Sequence, residues 1–213
     1  MMKGIWFDDL HSYDDMGLIL SKVDIPPAIP KTQFIDIPSG DGSVDLTEAL
    51  GEVRYNNREA TITFTVLPQD DFEQKKTEVS NLLNGMRFER IVVDKDPLYF
   101  WTGRCVVNEY ASNKRINQIV VKAILAPYKR KVLDTAVEVS AGENVPVVLK
   151  NGKKKVIPTI ITTADATIVF GDTSREIPAG THTVSGIVLK FGNNDLTVTS
   201  EGVVTFVYKE GDL

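Results

Sequence analysis

The sequence predicts a mainly β protein in two parts: an N-terminal β-barrel or sandwich holding one α-helix, then a C-terminal antiparallel β-sandwich. Three observations predict it. Ala60, Ile62, Phe64 and Val66 alternate with Thr61, Thr63 and Thr65, the period of a half-buried strand. Only one segment, about residues 70–85, carries apolar side chains at helical spacing. After Tyr128 the helical signal disappears and short apolar runs alternate with turn residues, which places a seam between 1–127 and 128–213.

In chain order, further strands are expected at Ile5 to Leu10, Phe34 to Ile37, Phe88 to Val93, Leu98 to Val107 and Ile116 to Leu125. The last two flank a polar turn around Asn113 and are read as a hairpin. The helix gathers Phe72, Val79, Leu82, Leu83 and Met86 on one face, with Asp70 as its cap, Glu73 reaching back, and Gly85 at its end. Between the early strands, Pro26, Pro27, Pro30, Pro38, Gly40 and Gly42 punctuate the chain too often for regular structure, so this stretch is read as an extended excursion. In the second part, Asn151 and Gly152 between Val147–Leu149 and Val156–Ile157 carry the commonest two-residue hairpin signature. Gly171 with Asp172, Gly180, Gly192 to Asn194, and Glu201 with Gly202 mark later turns.

Composition narrows the function classes. The chain has 213 residues, 42% of them hydrophobic and 25% charged, which is ordinary globular usage. A single cysteine, Cys105, excludes an intramolecular disulfide and a multi-thiolate zinc site. The opening residues lack the apolar core of a signal peptide, and no apolar run has the length of a membrane span, so a soluble protein without membrane insertion is expected. Residues 1–127 hold 14 basic and 19 acidic side chains, and residues 128–213 hold 10 and 10, so the first part carries the whole net charge of −5. An acidic surface repels phosphates, and no sequence-specific nucleic-acid binding is expected.

No constellation of side chains nominates a catalytic, cofactor or metal site. The loop Ser39 to Ser43 lacks the Gly-Lys-Ser/Thr of a phosphate cradle. Asp41, Ser43, Asp45 and Glu52 fit calcium-loop positions one, three, five and twelve, but Leu46 stands where the sharp turn requires Gly. Asp8, Asp9, Asp14 and Asp15 read as a solvated acidic loop, and His11 and His182 as surface histidines without partners at ligand spacing. Cys105 lies in an apolar strand pattern and reads as a small buried hydrophobe. Among Tyr99, Phe100 and Trp101, which alternate faces on a strand, at least one ring is expected to point away from the core.

Taken together, the N-terminal signals resemble the distal tail proteins of siphophages, the long non-contractile-tailed phages. The residues carrying the resemblance are Gly4 to Phe7, Gly17 and Leu18, then Ile37, Pro38, Gly40, Asp41 and Gly42 with Asp45, Leu46 and Thr47, then Tyr55, Asn57 and Arg58. Gly192 to Asn194 and Tyr208 to Leu213 resemble that family's usual finish. The resemblance implies an N-terminal belt domain that assembles into a hexameric ring, single or stacked, and an outward C-terminal galectin-like sandwich. It further implies a baseplate hub at the distal end of a phage or prophage tail, a non-enzymatic virion component made in the host cytoplasm. Its partners would be the tail tube protein and the tail-tip hub or tail-associated lysin, with a receptor-binding protein as a further candidate and DNA passing through the lumen. Pro38, Gly40, Asp41, Gly42, Asp45, Leu46, Tyr55, Asn57 and Arg58 are the expected interface residues, and cofactors are not expected. The residues leave two other classes open, a carbohydrate-binding sandwich for host adhesion and a cell-wall hydrolase. The short second part leaves little room for inserted sugar-binding modules.

Overall fold

A computed structural model of the chain describes residues 4–49, 51–68, 70–112 and 116–213, which divide into two compact units, Met1–Pro127 and Tyr128–Leu213. The polar turn expected around Asn113 lies outside the described residues.

Unit 1 contains β1 (Ile5–Phe7), β2 (Leu10–His11), β3 (Leu18–Asp24), β4 (Phe34–Asp36), β5 (Ser43–Asp45), β6 (Arg58–Val66), α1 (Phe72–Leu83), β7 (Arg87–Val93), β8 (Tyr99–Ser112) and β9 (Asn117–Leu125). Its main antiparallel sheet runs in the order β2-β1-β7-β8-β9-β6-β3. Period-two patterning is literal here: on β6 the side chains of Ala60, Ile62, Phe64 and Val66 are buried and the threonines between them half-buried. On β9 Ile119, Val121, Ala123 and Leu125 do the same. The inward faces meet α1 in one apolar core, where the Phe7 ring sits 5.2 Å from that of Phe88 and 6.5 Å from that of Phe64. Such tilted and edge-on ring pairs add to the burial of each side chain.

Local chemistry sets the helix ends, with one residue's difference from the sequence reading. Asp71, not Asp70, caps α1, because its Oδ1 accepts from the amides of Glu73 (2.9 Å) and Gln74 (3.2 Å) while its own backbone stays extended. Glu73 instead pairs with Lys76 at 2.6 Å. Val79 and Leu83 are buried, whereas Met86 lies beyond the helix and is exposed. Gly85, at φ +77°, takes the left-handed backbone that ends the helix.

Several N-terminal expectations change. The strand read across Ile5 to Leu10 splits into β1 and β2, because Asp8 turns the chain at φ +52° and its carboxylate accepts from the Arg90 amide. β3 carries no clean alternation and pairs with β6 through a register shift between Leu20 and Lys22, so the sequence reading passed over it. The Pro- and Gly-rich excursion is not wholly irregular: β4 and β5 pair within it as an antiparallel hairpin.

Unit 2 contains β10 (Lys129–Lys131), β11 (Thr135–Val139), β12 (Gly142–Asn151), β13 (Thr159–Thr162), β14 (Ala166–Phe170), β15 (Thr173–Ile177), β16 (Gly180–Thr183), β17 (Gly192–Ser200), β18 (Val204–Tyr208) and β19 (Gly211–Asp212). Two four-stranded antiparallel sheets, β11-β18-β13-β16 and β12-β17-β14-β15, enclose a core that includes Leu149, Ile160, Ile168, Val198 and Phe206. The mainly β fold class, with one helix among the described residues, is therefore observed.

The Asn151-Gly152 hairpin does not form. β12 pairs along its length with β17, so that Asn151 faces Gly192, and Val156 bridges to Leu189. Asn151 is buried and its Nδ2 donates to the carbonyls of Lys154 (2.9 Å) and Leu189 (3.1 Å). Gly152 is there for close approach: a Cβ on it would lie 2.5 Å from the Gly211 carbonyl oxygen. The last residues pair with the first of the same unit, β19 on β10, and the Tyr208 hydroxyl donates to the Lys150 carbonyl at 2.7 Å.

Candidate assembly interface

The chain between β3 and β6 forms a ribbon held together at three levels. At its base Pro30 bridges Tyr55, Lys31 N donates to Arg54 O at 2.7 Å, and Asn56 N donates to Ile29 O at 2.9 Å. In its middle Leu46 N donates to Gln33 O, and Gln33 N to the Thr47 hydroxyl. At its end β4 pairs with β5 in the register Phe34↔Asp45, Ile35↔Val44 and Asp36↔Ser43. The connecting turn uses Ser39 and Gly42 at φ +62° and +76°. Ser43 donates to Asp36 at 2.6 Å, and hydrogen bonds from the Thr47 hydroxyl and amide hold the Asp45 carboxyl below the usual carboxylate range.

Every residue from Lys31 to Asp45 is exposed. The hairpin is nevertheless strongly apolar on one face, since Ile35 and Val44 lie opposite each other and Ile37 shares their side by alternation. Those three side chains are 51%, 45% and 49% exposed, and Phe34 on the other face is 58% exposed. A two-stranded ribbon has no core of its own and is marginal in water. An apolar face of this kind, left in solvent, is a candidate interaction surface.

Of the nine expected interface residues, Pro38, Gly40, Asp41, Gly42 and Asp45 lie on this exposed hairpin, with Leu46 half-buried just after it. Tyr55 and Asn57 lie at the ribbon's base, Tyr55 half-buried and Asn57 exposed. Arg58 differs. It is 7% exposed, with Nε donating to Pro127 O (2.9 Å) and Nη1 to Pro26 O (3.2 Å), so it ties the ribbon's root to the end of unit 1. Burial lowers its pKa. The apolar members Phe34, Ile35, Ile37 and Val44 were absent from the expected set, although the alternation on both sides of the Gly-rich turn could have found them.

The other candidates resolve into structural roles. His11 is buried, not a surface residue: its Nδ1 lies 2.7 Å from Asp14, its Nε2 lies 3.3 Å from Asp94, and its ring stands 4.6 Å from that of Trp6. Gly4 makes room, since a Cβ there would meet His11 Nε2 at 2.2 Å. Asp8, Asp9, Asp14 and Asp15 are all exposed, as a solvated acidic loop requires, and the loop is tied to the buried ring's residue by Asp15 accepting from the His11 amide at 2.6 Å. His182 is half-buried with Nε2 2.8 Å from Pro178 O. Cys105 is fully buried, and desolvation pushes its thiol up to about 12. None of the three consecutive aromatics is an exposed ring. Trp101 packs in the core, Phe100 is 7% exposed with Arg90 5.8 Å from its centroid, and Tyr99 is half-buried. Among the described residues no group of three or more His, Cys, Asp or Glu side chains could hold a metal ion, and no helix is long and apolar enough to cross a membrane.

Unit 2 has an open concavity bordered by Glu143, Asp165, Glu176 and Glu201 with Thr167 and Ser200, and no aromatic side chain lines it. A sugar platform wants an aromatic ring flanked by polar groups. Phe191, 67% exposed beneath the Lys153 ammonium, is not among the residues lining that concavity.

No protein-family model matches the chain, and no curated protein matches it in sequence. Among solved structures, the crystal structure of SPP1 Dit (gp 19.1) is similar at a TM-score of 0.71, covering 98% of this chain and 99% of that one. That protein is described as a paradigm of the hub adsorption apparatus in phages infecting Gram-positive bacteria. Sequence identity is 14%, so the likeness is one of fold across both units.

Proposed function

We propose that this chain is a structural hub of a long non-contractile phage or prophage tail tip, acting by self-assembly and docking. In this reading unit 1 builds a hexameric ring at the distal end of the tail that joins the tail tube to the tip hub and receptor-binding apparatus. The observation carrying the reading is the exposed, apolar β4–β5 hairpin within a fold shared end to end with a phage hub protein. An amphipathic hairpin propped clear of its own core has a use once another surface covers it, and a ribbon of this kind is suited to lie on a neighbouring copy. The acidic excess of residues 1–127 suits a lumen through which DNA slides without sticking.

Deleting residues 36–47 tests the reading directly, because the cut removes the hairpin turn and leaves both core clusters intact. The expected result is a folded monomer by light scattering, beside a wild type whose mass is six chains and whose negative-stain images show rings. An intact hexamer after the deletion refutes the assignment.

A further inference from the structure

Unit 2 carries ten basic and ten acidic side chains, yet the two signs are sorted to opposite ends of the sandwich. Along β12 and β17 the register runs from Gly142↔Ser200 at one end to Asn151↔Gly192 at the other. Ala166 and Ile177 belong to the first end, and Tyr208, whose hydroxyl reaches the Lys150 carbonyl, to the second. Nine of the ten cations gather at the Asn151 end: Lys129–Lys131, Lys150, Lys153–Lys155, Lys190 and Lys209. The carboxylates among them are engaged, since Asp134 pairs with Lys209, Glu210 pairs with Lys131, and Asp212 accepts from the Lys153 amide. Phe191 stands at this end as a 67% exposed ring, preceded by Lys190 and with the Lys153 ammonium 5.3 Å from its centroid. The opposite end holds the concavity, where apolar Ala141, Ile177 and Pro178 lie among the carboxylates of Glu143, Asp165, Glu176 and Glu201 and no lysine or arginine lines the surface. Arg175, the tenth cation, alternates to the other face of β15 from Glu176 and donates to Ser174 O at 3.3 Å.

We propose that unit 2 self-associates head to tail, the Phe191 end of one copy seated in the acidic concavity of the next. This goes beyond the hub reading and does not rest on it. A second copy is the occupant because this chain carries both halves of a complementary pair, an exposed ring collared by lysines and an apolar hollow bordered by carboxylates. The halves cannot meet within one chain: the ten residues of β12, at about 3.3 Å each, hold the two ends roughly 30 Å apart. At about 1200 Å³ the concavity has room for an aromatic ring with its flanking side chains. The ring covers Ile177 and Pro178, and Lys153 and Lys190 reach the bordering carboxylates. Like ends repel, so the charges select the head-to-tail pairing. The contact is heterologous, and successive contacts close a ring when the rotation permits and otherwise continue as a fibre. Much of the attraction is between exposed charges, so a single contact is weak and screened by salt.

A disulfide trap reads a weak contact, and the chain suits one because its own Cys105 is buried and held as the thiol. Asn193, beside Phe191, and Ala141, at the concavity, are both exposed, and replacing them leaves the ring, the lysines and the carboxylates in place. The full chain with Asn193→Cys and Ala141→Cys, oxidised at high protein concentration and low ionic strength, is expected to give a ladder of covalent oligomers on a non-reducing gel, while each single variant gives nothing above a dimer. Adding Lys153→Glu with Lys190→Glu should slow the ladder at least tenfold, and further adding Glu143→Lys with Glu201→Lys should recover most of the rate. Absence of the ladder, a ladder indifferent to the lysine reversal, or failure of the recovery overturns the contact. A double-cysteine variant that reaches the mass of a hexamer by light scattering yet shows no ladder overturns it and leaves the hub reading standing. A charge-dependent ladder from a chain that forms no ring at any concentration supports the contact and overturns the hub reading.

Discussion

Placing carboxylates on the hairpin's apolar face, as Ile35→Asp with Val44→Asp, should abolish assembly without unfolding the protein. The magnitude follows from exposure. Ile35 and Val44 are 51% and 45% exposed in the single chain, so each has about half its surface left to bury. Full burial of such a side chain is worth roughly 1.5–3 kcal/mol, so covering the remainder contributes about 1 kcal/mol each. A carboxylate desolvated in the same contact costs several kcal/mol more, bringing the loss to ~4 kcal/mol or beyond per contact. That corresponds to about a thousandfold in affinity. In the free chain the same substitutions sit in solvent and should change stability by no more than about 0.5 kcal/mol. Phe64→Ala is the opposing control: the ring is fully buried beside Phe7, and its loss should cost about 3–5 kcal/mol of folding stability. Light scattering over a concentration series together with thermal melts separates the two effects. The reasoning fails if the double Asp variant assembles at wild-type concentrations, or if its melting temperature falls as far as that of Phe64→Ala.

Two further outcomes concern unit 2. Burial alone would raise the Glu210 pKa, but hydrogen bonds from Lys131 (2.7 Å) and Thr135 (2.6 Å) and the charges of Lys131 and Lys150 outweigh it and lower it. A lowered carboxylate pKa contributes stability that is present above the unfolded value and lost as pH falls through the folded one. Glu210→Gln should therefore cost about 2 kcal/mol near neutral pH and much less in acid, read by denaturant melts at both, and an equal deficit at both would contradict the ion-pair account. Gly152→Ala should strain the β10–β19 closure, since its Cβ would lie 2.5 Å from the Gly211 carbonyl oxygen. The expected cost is about 1–3 kcal/mol with early amide exchange at residues 211 and 212, and unchanged protection there would show that the closure relaxes.

How much was legible depended on whether the signal was local. The alternation on β6 and β9 and the single apolar stripe of α1 specify strands and a helix wherever they fold, because the buried set is fixed by period alone. The one-residue displacement of the cap from Asp70 to Asp71 reflects two adjacent acids of equal propensity, between which only the reach to the Glu73 and Gln74 amides decides. The hairpin was half legible: Phe34 to Ile37 stood out, but the prolines and glycines around it concealed the pairing with Ser43–Asp45. Asn194 was read as a turn residue. Its side chain proves to be a stitch, taking a hydrogen bond from the Lys190 amide at 2.8 Å and donating to Leu149 O at 3.1 Å across β12.

By itself, the sequence determined the β class, the lone helix, the inward residues of the long strands and the acidic bias of residues 1–127, since these follow from composition and periodicity. Tertiary structure alone decided that Asn151 pairs with Gly192 and not with its neighbours beyond Gly152, because the 40 intervening residues fold into strands that offer a longer ladder than a local hairpin could. It alone drew His11 between Asp14 and Asp94, 83 positions away from the second, where a space left by Gly4 admits the ring. It alone left Ile35, Ile37 and Val44 uncovered, because the ribbon that carries them is clipped at its base and does not turn back onto the core.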